Sequence, residues 1–154
     1  MEKSVNSFLD CVKEEFGLEK KEAKQYSPLT LAYIGDGVYD LIIRTVLVEL
    51  ANQPVKILHR KASSIVKAES QAKLVHEIMD SLTEEELAVY KRGRNAKSAT
   101  SAKNASITDY RTATGLEALM GYLYMENNME RAVALVKEGL LRLGEWKLPA
   151  AEQK

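Results

Sequence analysis

Two acidic residues lie in long, mostly apolar stretches of this chain, and each stretch contains glycine. Asp36 lies between Gly35 and Gly37 in the run AYIGDGVYD, and Glu117 lies in the run TGLEALMGY. Burying an unpaired carboxylate is costly. A cation, a metal ion or a water-filled cleft would offset that cost. A carboxylate on the polar side of an amphipathic helix would not be buried and would not have this cost. The stretch around Asp36 does not by itself decide between a compensated buried carboxylate and an exposed one.

The glycines indicate how the two carboxylates come together. A glycine inside a helix costs about 1 kcal/mol relative to alanine, so a helix that keeps one commonly lets a second backbone approach. We therefore expect the helices of Asp36 and Glu117 to cross at their glycines. Two carboxylates held close repel each other unless one is protonated or a cation bridges them. Mg²⁺ accepts one or two carboxylates together with water and phosphate oxygens, and it supports hydrolysis of phosphodiesters.

A basic segment supplies what a phosphate backbone binds. Residues 91–104 contain five basic residues and no acidic residue, and they show no apolar periodicity. This pattern predicts an exposed, mobile loop, in which arginine binds phosphate bidentately and lysine acts as a point charge. Taken alone, the segment is more typical of a solvated surface loop, but together with the two carboxylates it favours a metal-dependent nuclease. The candidate phosphate contacts are Lys91, Arg92, Arg94, Asn95, Lys97 and Lys103.

The elements that must position these residues are helices. Ser27 as N-cap, Pro28 in the first turn and apolar residues at helical spacing predict a long buried helix over 28–50. Periodicity predicts further helices over about 2–16, 54–68, 70–80, 83–91, 108–126 and from 128 onward, with Trp146 folded back on the core. No convincing strand pattern occurs, so the predicted class is all-α.

Composition bounds the remaining possibilities. The 154 residues suit a single domain, with a core over about 4–144, a tail over 145–154 and no room for a second domain. The net charge of zero argues against indiscriminate nucleic-acid binding, although it permits a local basic patch. The single cysteine excludes an internal disulfide framework and, with no signal peptide, predicts a cytoplasmic protein. No apolar run is long enough for a bilayer span, so no membrane partner is expected.

The two carboxylate motifs resemble those of the ribonuclease III family. The run LAYIGDGV at 31–38 is similar to the family's signature helix, usually LEFLGD followed by Ala or Ser and Val. The run TGLEALMG at 114–121 is similar to its second motif, DTVEALIG. The segments KRGRNAK and DYR, together with the short length, resemble a bacterial branch of the family that lacks a double-stranded-RNA-binding domain.

The resemblance implies a ribonuclease III-type helical bundle that forms a two-fold homodimer. It implies Mg²⁺-dependent endonucleolytic cleavage of double-stranded RNA, with Mn²⁺ as a substitute ion and with 5′-phosphate and 3′-hydroxyl products. It also implies maturation of the 23S ribosomal RNA precursor, with a large-subunit ribosomal protein as a conceivable helper. By position, Asp36 and Glu117 match the catalytic, metal-binding carboxylates, and Tyr33 matches an aromatic residue of the dimer interface.

Two departures from the family pattern keep an alternative open. Ala32 and Thr114 stand where the family motifs carry carboxylates. We therefore expect fewer protein ligands for the metal ion and a weaker affinity for Mg²⁺. A catalytically silent RNA-binding protein that assists ribosome assembly on the same fold is the alternative function.

Overall fold

Seven α-helices make up the part of the chain that the computed structural model describes, which is residues 7–19, 21–97 and 106–145. Short 3₁₀ turns, Ala23–Gln25 and Met79–Ser81, precede the second and the fifth helix. These residues contain no strand, so the all-α prediction is confirmed. In chain order the helices are α1 (Phe8–Glu15), α2 (Pro28–Leu50), α3 (Val55–Val66), α4 (Ala68–Ile78), α5 (Glu84–Asn95), α6 (Ile107–Met125) and α7 (Met129–Leu143).

Local capping chemistry explains where the helices begin. The Ser27 hydroxyl accepts a hydrogen bond from the Thr30 N–H at 3.2 Å, and Pro28 occupies the first turn of α2. At the start of α5, Thr83 and Glu86 each accept from the other's backbone N–H, at 3.1 and 2.9 Å. The predicted bounds of α2 and the predicted start of α5 are therefore confirmed.

The centre of the fold is the crossing of α2 over α6, where the two backbones touch. A Cβ atom added to Gly35 would lie 1.6 Å from the carbonyl oxygen of Glu117, and one added to Gly121 would lie 1.9 Å from that of Leu31. Only glycine permits this approach. The predicted crossing at glycines is confirmed for Gly35, but Gly37 does not take part, because nothing lies within 4 Å of its Cβ position.

Helix α5 is longer than the sequence pattern predicts. It continues to Asn95, so the first residues of the expected loop are helical. Gly93 explains the extension: its Cβ position is 2.6 Å from the Cβ atom of Ala118 and 3.1 Å from the Cα atom of Gly115, so this turn packs directly on α6. The prediction of a loop beginning at Lys91 is wrong. Residues 98–104 of that segment lie outside the described residues.

Burial in α2 is one-sided. Leu31 and Ile43 are 3% and 1% exposed, whereas Tyr33 and Leu41 are 83% and 65% exposed. The long buried helix predicted from the sequence is therefore buried on one face and exposed on the other. Trp146 lies outside the described residues. None of the helices described is both long enough and apolar enough to cross a bilayer.

Candidate active site

The α2–α6 crossing brings the two predicted carboxylates together. Asp36 and Glu117 lie within hydrogen-bonding reach of each other. Asp36 follows Gly35 on α2 and is exposed, whereas Glu117 is half-buried on α6. One carboxylate of the pair thus faces solvent and the other faces the protein interior. Their catalytic role stays a prediction at this point.

Burial gives Glu117 an unusual protonation state. Loss of water around its carboxyl group, reinforced by the adjacent Asp36 carboxylate, raises the pKa of Glu117 from 4.5 to about 9. The Gln71 side chain acts in the opposite direction and favours the ionised form. Without a bound cation, Glu117 therefore holds a proton at neutral pH.

This protonation makes the stability of the metal-free protein fall with rising pH. The unfolded chain releases the Glu117 proton near pH 4.5 and the folded chain near pH 9, so the folded state binds more protons in this window. Each pH unit then costs up to about 1.4 kcal/mol in the free energy of unfolding. We expect Glu117→Gln, which cannot ionise, to flatten this dependence and to be more stable than the wild type at pH 8.

Thermal unfolding in EDTA between pH 5 and 9 measures the effect. Glu49→Gln removes an exposed carboxylate near the end of α2 and is the matched control, for which we expect the wild-type pH dependence. Parallel profiles for Glu117→Gln and the wild type would contradict the assignment of a retained proton to Glu117.

A third polar residue at the site comes from α4 and was missed by the sequence analysis. Gln71 is 3% exposed and lies within hydrogen-bonding reach of Glu117. Its Nε2 also donates to the carbonyl oxygen of Val66 at 2.7 Å. A usable signal existed in the sequence, because Gln71 shares the apolar stripe of α4 with Val75 and Ile78 at helical spacing.

The residues present suit a divalent cation of the Mg²⁺ type. The described residues contain no group of three or more His, Cys, Asp or Glu side chains arranged to hold a metal ion, so the carboxylate pair is the available donor set. Mg²⁺ is commonly held by one or two carboxylates and keeps several waters. A cation would also offset the burial and the Asp36 repulsion that together keep a proton on Glu117. The pair therefore fits an ion whose remaining ligands are water and substrate.

The two neighbouring positions add no donor to this pair. Ala32, one turn before Asp36, has no polar side-chain atom and is 8% exposed. Thr114, one turn before Glu117, donates its hydroxyl to the carbonyl oxygen of Tyr110 at 2.9 Å. Neither position therefore supplies a metal ligand in the folded protein, as the sequence motifs predicted.

The structure divides the predicted RNA contacts into two groups. Lys91, Arg92 and Asn95 are exposed on the last turns of α5, and exposed Lys97 follows the helix. Arg94 is partly buried: its guanidinium carbon lies 5.6 Å from the Tyr90 ring centroid, and its Nε donates to Asn95 Oδ1 at 3.2 Å. Arg94 is therefore less free to reach a phosphate than its neighbours are, and its role in RNA binding stays a prediction. Lys103 lies outside the described residues.

Comparison with known proteins places this helical fold and site in a class. The family described as "Ribonuclease III domain" matches residues 29–128, which include both carboxylate helices. A crystal structure of a Fusobacterium nucleatum protein superposes with a TM-score of 0.73 at 27% identity, covering 82% of this chain and 100% of that one. The chain belongs to the ribonuclease III family, and it is an endoribonuclease of the ribonuclease III type.

Curated relatives narrow the similarity within that family, and each is named Mini-ribonuclease 3. The relative from Clostridium tetani is 51% identical over 125 residues, which are 80% of this chain and 82% of the relative. The one from Enterococcus faecalis is 46% identical over 127 residues, 81% and 96% of the two chains. The one from Staphylococcus aureus is 44% identical over 118 residues, 75% and 87% of the two. The resemblance inferred from the two motifs is confirmed.

Proposed function

We propose that this chain cleaves double-stranded RNA by Mg²⁺-dependent hydrolysis, leaving 5′-phosphate and 3′-hydroxyl ends, and that it matures the ends of the 23S ribosomal RNA precursor. The observation that carries the proposal is the Asp36–Glu117 pair at the α2–α6 crossing. Family membership and relatives named Mini-ribonuclease 3 support the same activity. Mn²⁺ serves as a substitute ion.

The chain's own residues contribute position and charge to this reaction. When bound, Mg²⁺ supplies charge stabilisation at the phosphodiester and lowers the pKa of a water molecule. Asp36, at the solvent side, and Glu117, at the protein side, would hold it. The rigid contact between α2 and α6 keeps both carboxylates in place, because neither backbone can shift without breaking the glycine crossing.

The direct test is cleavage of a long, fully paired RNA by the purified protein in Mg²⁺, with EDTA as the control. We expect cutting that EDTA abolishes and that Mg²⁺ or Mn²⁺ restores. Analysis of the new ends should show 5′-phosphates. Binding of duplex RNA without any cutting would instead support the silent RNA-binding alternative, or a requirement for a ribosomal-protein helper.

The exposed cations at the end of α5 are proposed to bind the RNA backbone. We expect Arg92→Ala to weaken duplex binding and to lower the slope of log affinity against log salt by about one, because one phosphate contact is lost. Arg94→Ala should have a smaller effect, since its guanidinium already contacts Tyr90. Binding measured at several salt concentrations separates the two variants.

Lys137→Ala supplies the matched control for loss of one positive charge. Lys137 is exposed on α7, outside the proposed RNA-binding residues. Its removal should leave the salt slope within error of the wild type. An unchanged slope for Arg92→Ala, or an equal decrease in all three variants, would contradict the role proposed for α5.

The exposed side of α2 is proposed as the homodimer interface. Leu29, Tyr33 and Leu41 occur at intervals of four or eight residues, and all three are exposed although apolar or aromatic. Tyr33 lies one turn before Asp36, so a two-fold contact here would set two catalytic pairs beside one RNA duplex. Such a dimer would also double the number of basic α5 termini that meet the RNA.

A charge at the centre of this stripe should disrupt the assembly. We expect wild-type protein to sediment at twice the chain mass and Tyr33→Asp to sediment at the mass of one chain, because an aspartate would lose its hydration in the contact. Glu49→Gln, which changes the same helix near its end, should remain dimeric. A Tyr33→Asp protein that sediments like the wild type would contradict this assignment.

A further inference from the structure

Gln71 is held in one orientation beside the carboxylate pair. Its Nε2 donates to the Val66 carbonyl oxygen at 2.7 Å, and the same side chain is a hydrogen-bond partner of Glu117. A backbone carbonyl can only accept a hydrogen bond. The amide nitrogen must therefore face Val66, and it also makes the contact with Glu117, because Oε1 has no hydrogen-bond partner in the protein.

The remaining atom of this amide has no protein partner. Among the described residues, two buried side-chain polar atoms lack a hydrogen bond: Gln71 Oε1 and the Tyr39 hydroxyl. Of these two residues, Gln71 is the one that lies beside the Glu117 carboxyl group. A buried polar group without a partner costs about 1–3 kcal/mol. An unpartnered amide oxygen beside this carboxylate indicates a site arranged for something other than folding stability.

We propose that Gln71 is a positioning residue of the divalent-cation site, in which Nε2 holds the Glu117 carboxylate and Oε1 accepts a hydrogen bond from a water of the ion's hydration shell. This inference rests on the cation binding proposed above. In this role Gln71 does not bind the ion directly. It acts through the Glu117 carboxylate and through a water molecule of the ion.

The neighbouring positions explain why such a residue is needed here. Ala32 offers no polar atom, and the Thr114 hydroxyl already donates to Tyr110. An ion held by Asp36 and Glu117 therefore keeps most of its water, and each retained water needs acceptors for its hydrogens. Gln71 Oε1 is the buried acceptor beside Glu117 that has no other partner in the described chain.

The test is calorimetric titration of the RNA-free protein with Mg²⁺ and with Mn²⁺. We expect Gln71→Leu to weaken binding by about 10- to 100-fold, the usual effect of losing a residue that orients a metal ligand. Gln71→Glu keeps an acceptor oxygen and should bind the ions more tightly than Gln71→Leu does. Equal losses in both variants, or wild-type affinity in Gln71→Leu, would overturn the proposal.

Two controls separate the role proposed for Gln71 from the proposed cation site itself. Gln53→Leu makes the same substitution in the α2–α3 connection, where Gln53 accepts from Lys61 Nζ at 2.8 Å, and it should leave ion affinity unchanged. Asp36→Asn should lose most of the binding. If Asp36→Asn binds normally, the cation site itself is wrong; if it fails to bind while Gln71→Leu binds normally, only the role of Gln71 is wrong. Gln71→Met replaces Gln71→Leu if circular dichroism shows that the latter is unfolded.

Discussion

Asp36→Asn is expected to lower the rate of duplex-RNA cleavage by about a thousandfold or more, equivalent to about 4 kcal/mol of transition-state stabilisation. Asparagine preserves the size of the side chain but removes its charge. Asp36 is exposed beside the Gly35 contact of the α2–α6 crossing, so the substitution leaves the packing intact. The loss should therefore appear in activity and cation affinity, with little change in the melting temperature.

Asp40→Asn is the matched control for this experiment. Asp40 lies one turn further along α2, and its Oδ2 is 2.7 Å from Arg44 Nε. An exposed pair of this kind contributes little to stability, and its carboxylate is already engaged. We expect Asp40→Asn to retain most of the cleavage rate. Similar losses in both variants would mean that general negative charge on α2, rather than Asp36 itself, supports the reaction.

Gly35→Ala is expected to have the largest effect on the fold. The added methyl group would lie 1.6 Å from the Glu117 carbonyl oxygen and 2.7 Å from the Gly121 nitrogen. These are backbone atoms of a buried helix and cannot rotate away as a flexible side chain could. We expect the free energy of unfolding to fall by about 3–5 kcal/mol. Because the same contact aligns Asp36 with Glu117, any folded fraction should also cleave poorly.

Gly37→Ala tests whether the loss of stability comes from the backbone contact at Gly35 or from any replacement of glycine by alanine in this part of α2. Nothing lies within 4 Å of its Cβ position, and alanine favours the helix over glycine by about 1 kcal/mol. Chemical denaturation should show Gly37→Ala equal to or slightly more stable than the wild type. Similar midpoints for Gly35→Ala and Gly37→Ala would contradict a backbone contact at Gly35.

The three helices at the site have separate roles. Helix α2 supplies the exposed carboxylate, α6 supplies the half-buried one, and α4 supplies the amide of Gln71 that faces Glu117. Helix α5 packs on α6 through Gly93 and carries the exposed cation Arg92. The residues proposed to recognise the phosphate backbone and those proposed to support hydrolysis thus lie on helices that pack on the same central helix, α6, or belong to it.

Much of this arrangement is predictable from local sequence. The bounds of α2 follow from Ser27 and Pro28, because capping and fixed backbone geometry act within a few residues. The glycines in two apolar runs predicted a crossing that joins Asp36 to Glu117, and the crossing at Gly35 confirms it. Motif resemblance then indicated the family, which the comparisons confirm.

Other features depended on contacts between distant segments. The helical state of residues 91–95 follows from Gly93 packing on α6, although the local composition is typical of a loop. Arg94 resembles its basic neighbours in sequence, yet it is partly buried against Tyr90. Neither outcome could be predicted from the segment alone, because burial against another helix outweighs local preference.

The sequence by itself determined the helical class, the caps and the two carboxylates, because each of these depends on residue type and on spacing along one helix. Only the tertiary structure decided which carboxylate faces solvent, which one keeps a proton, and that Gln71 joins them from α4. Solvent exposure and hydrogen bonding depend on which surfaces meet in space. In this protein they are decided where α2, α4 and α6 converge around Glu117.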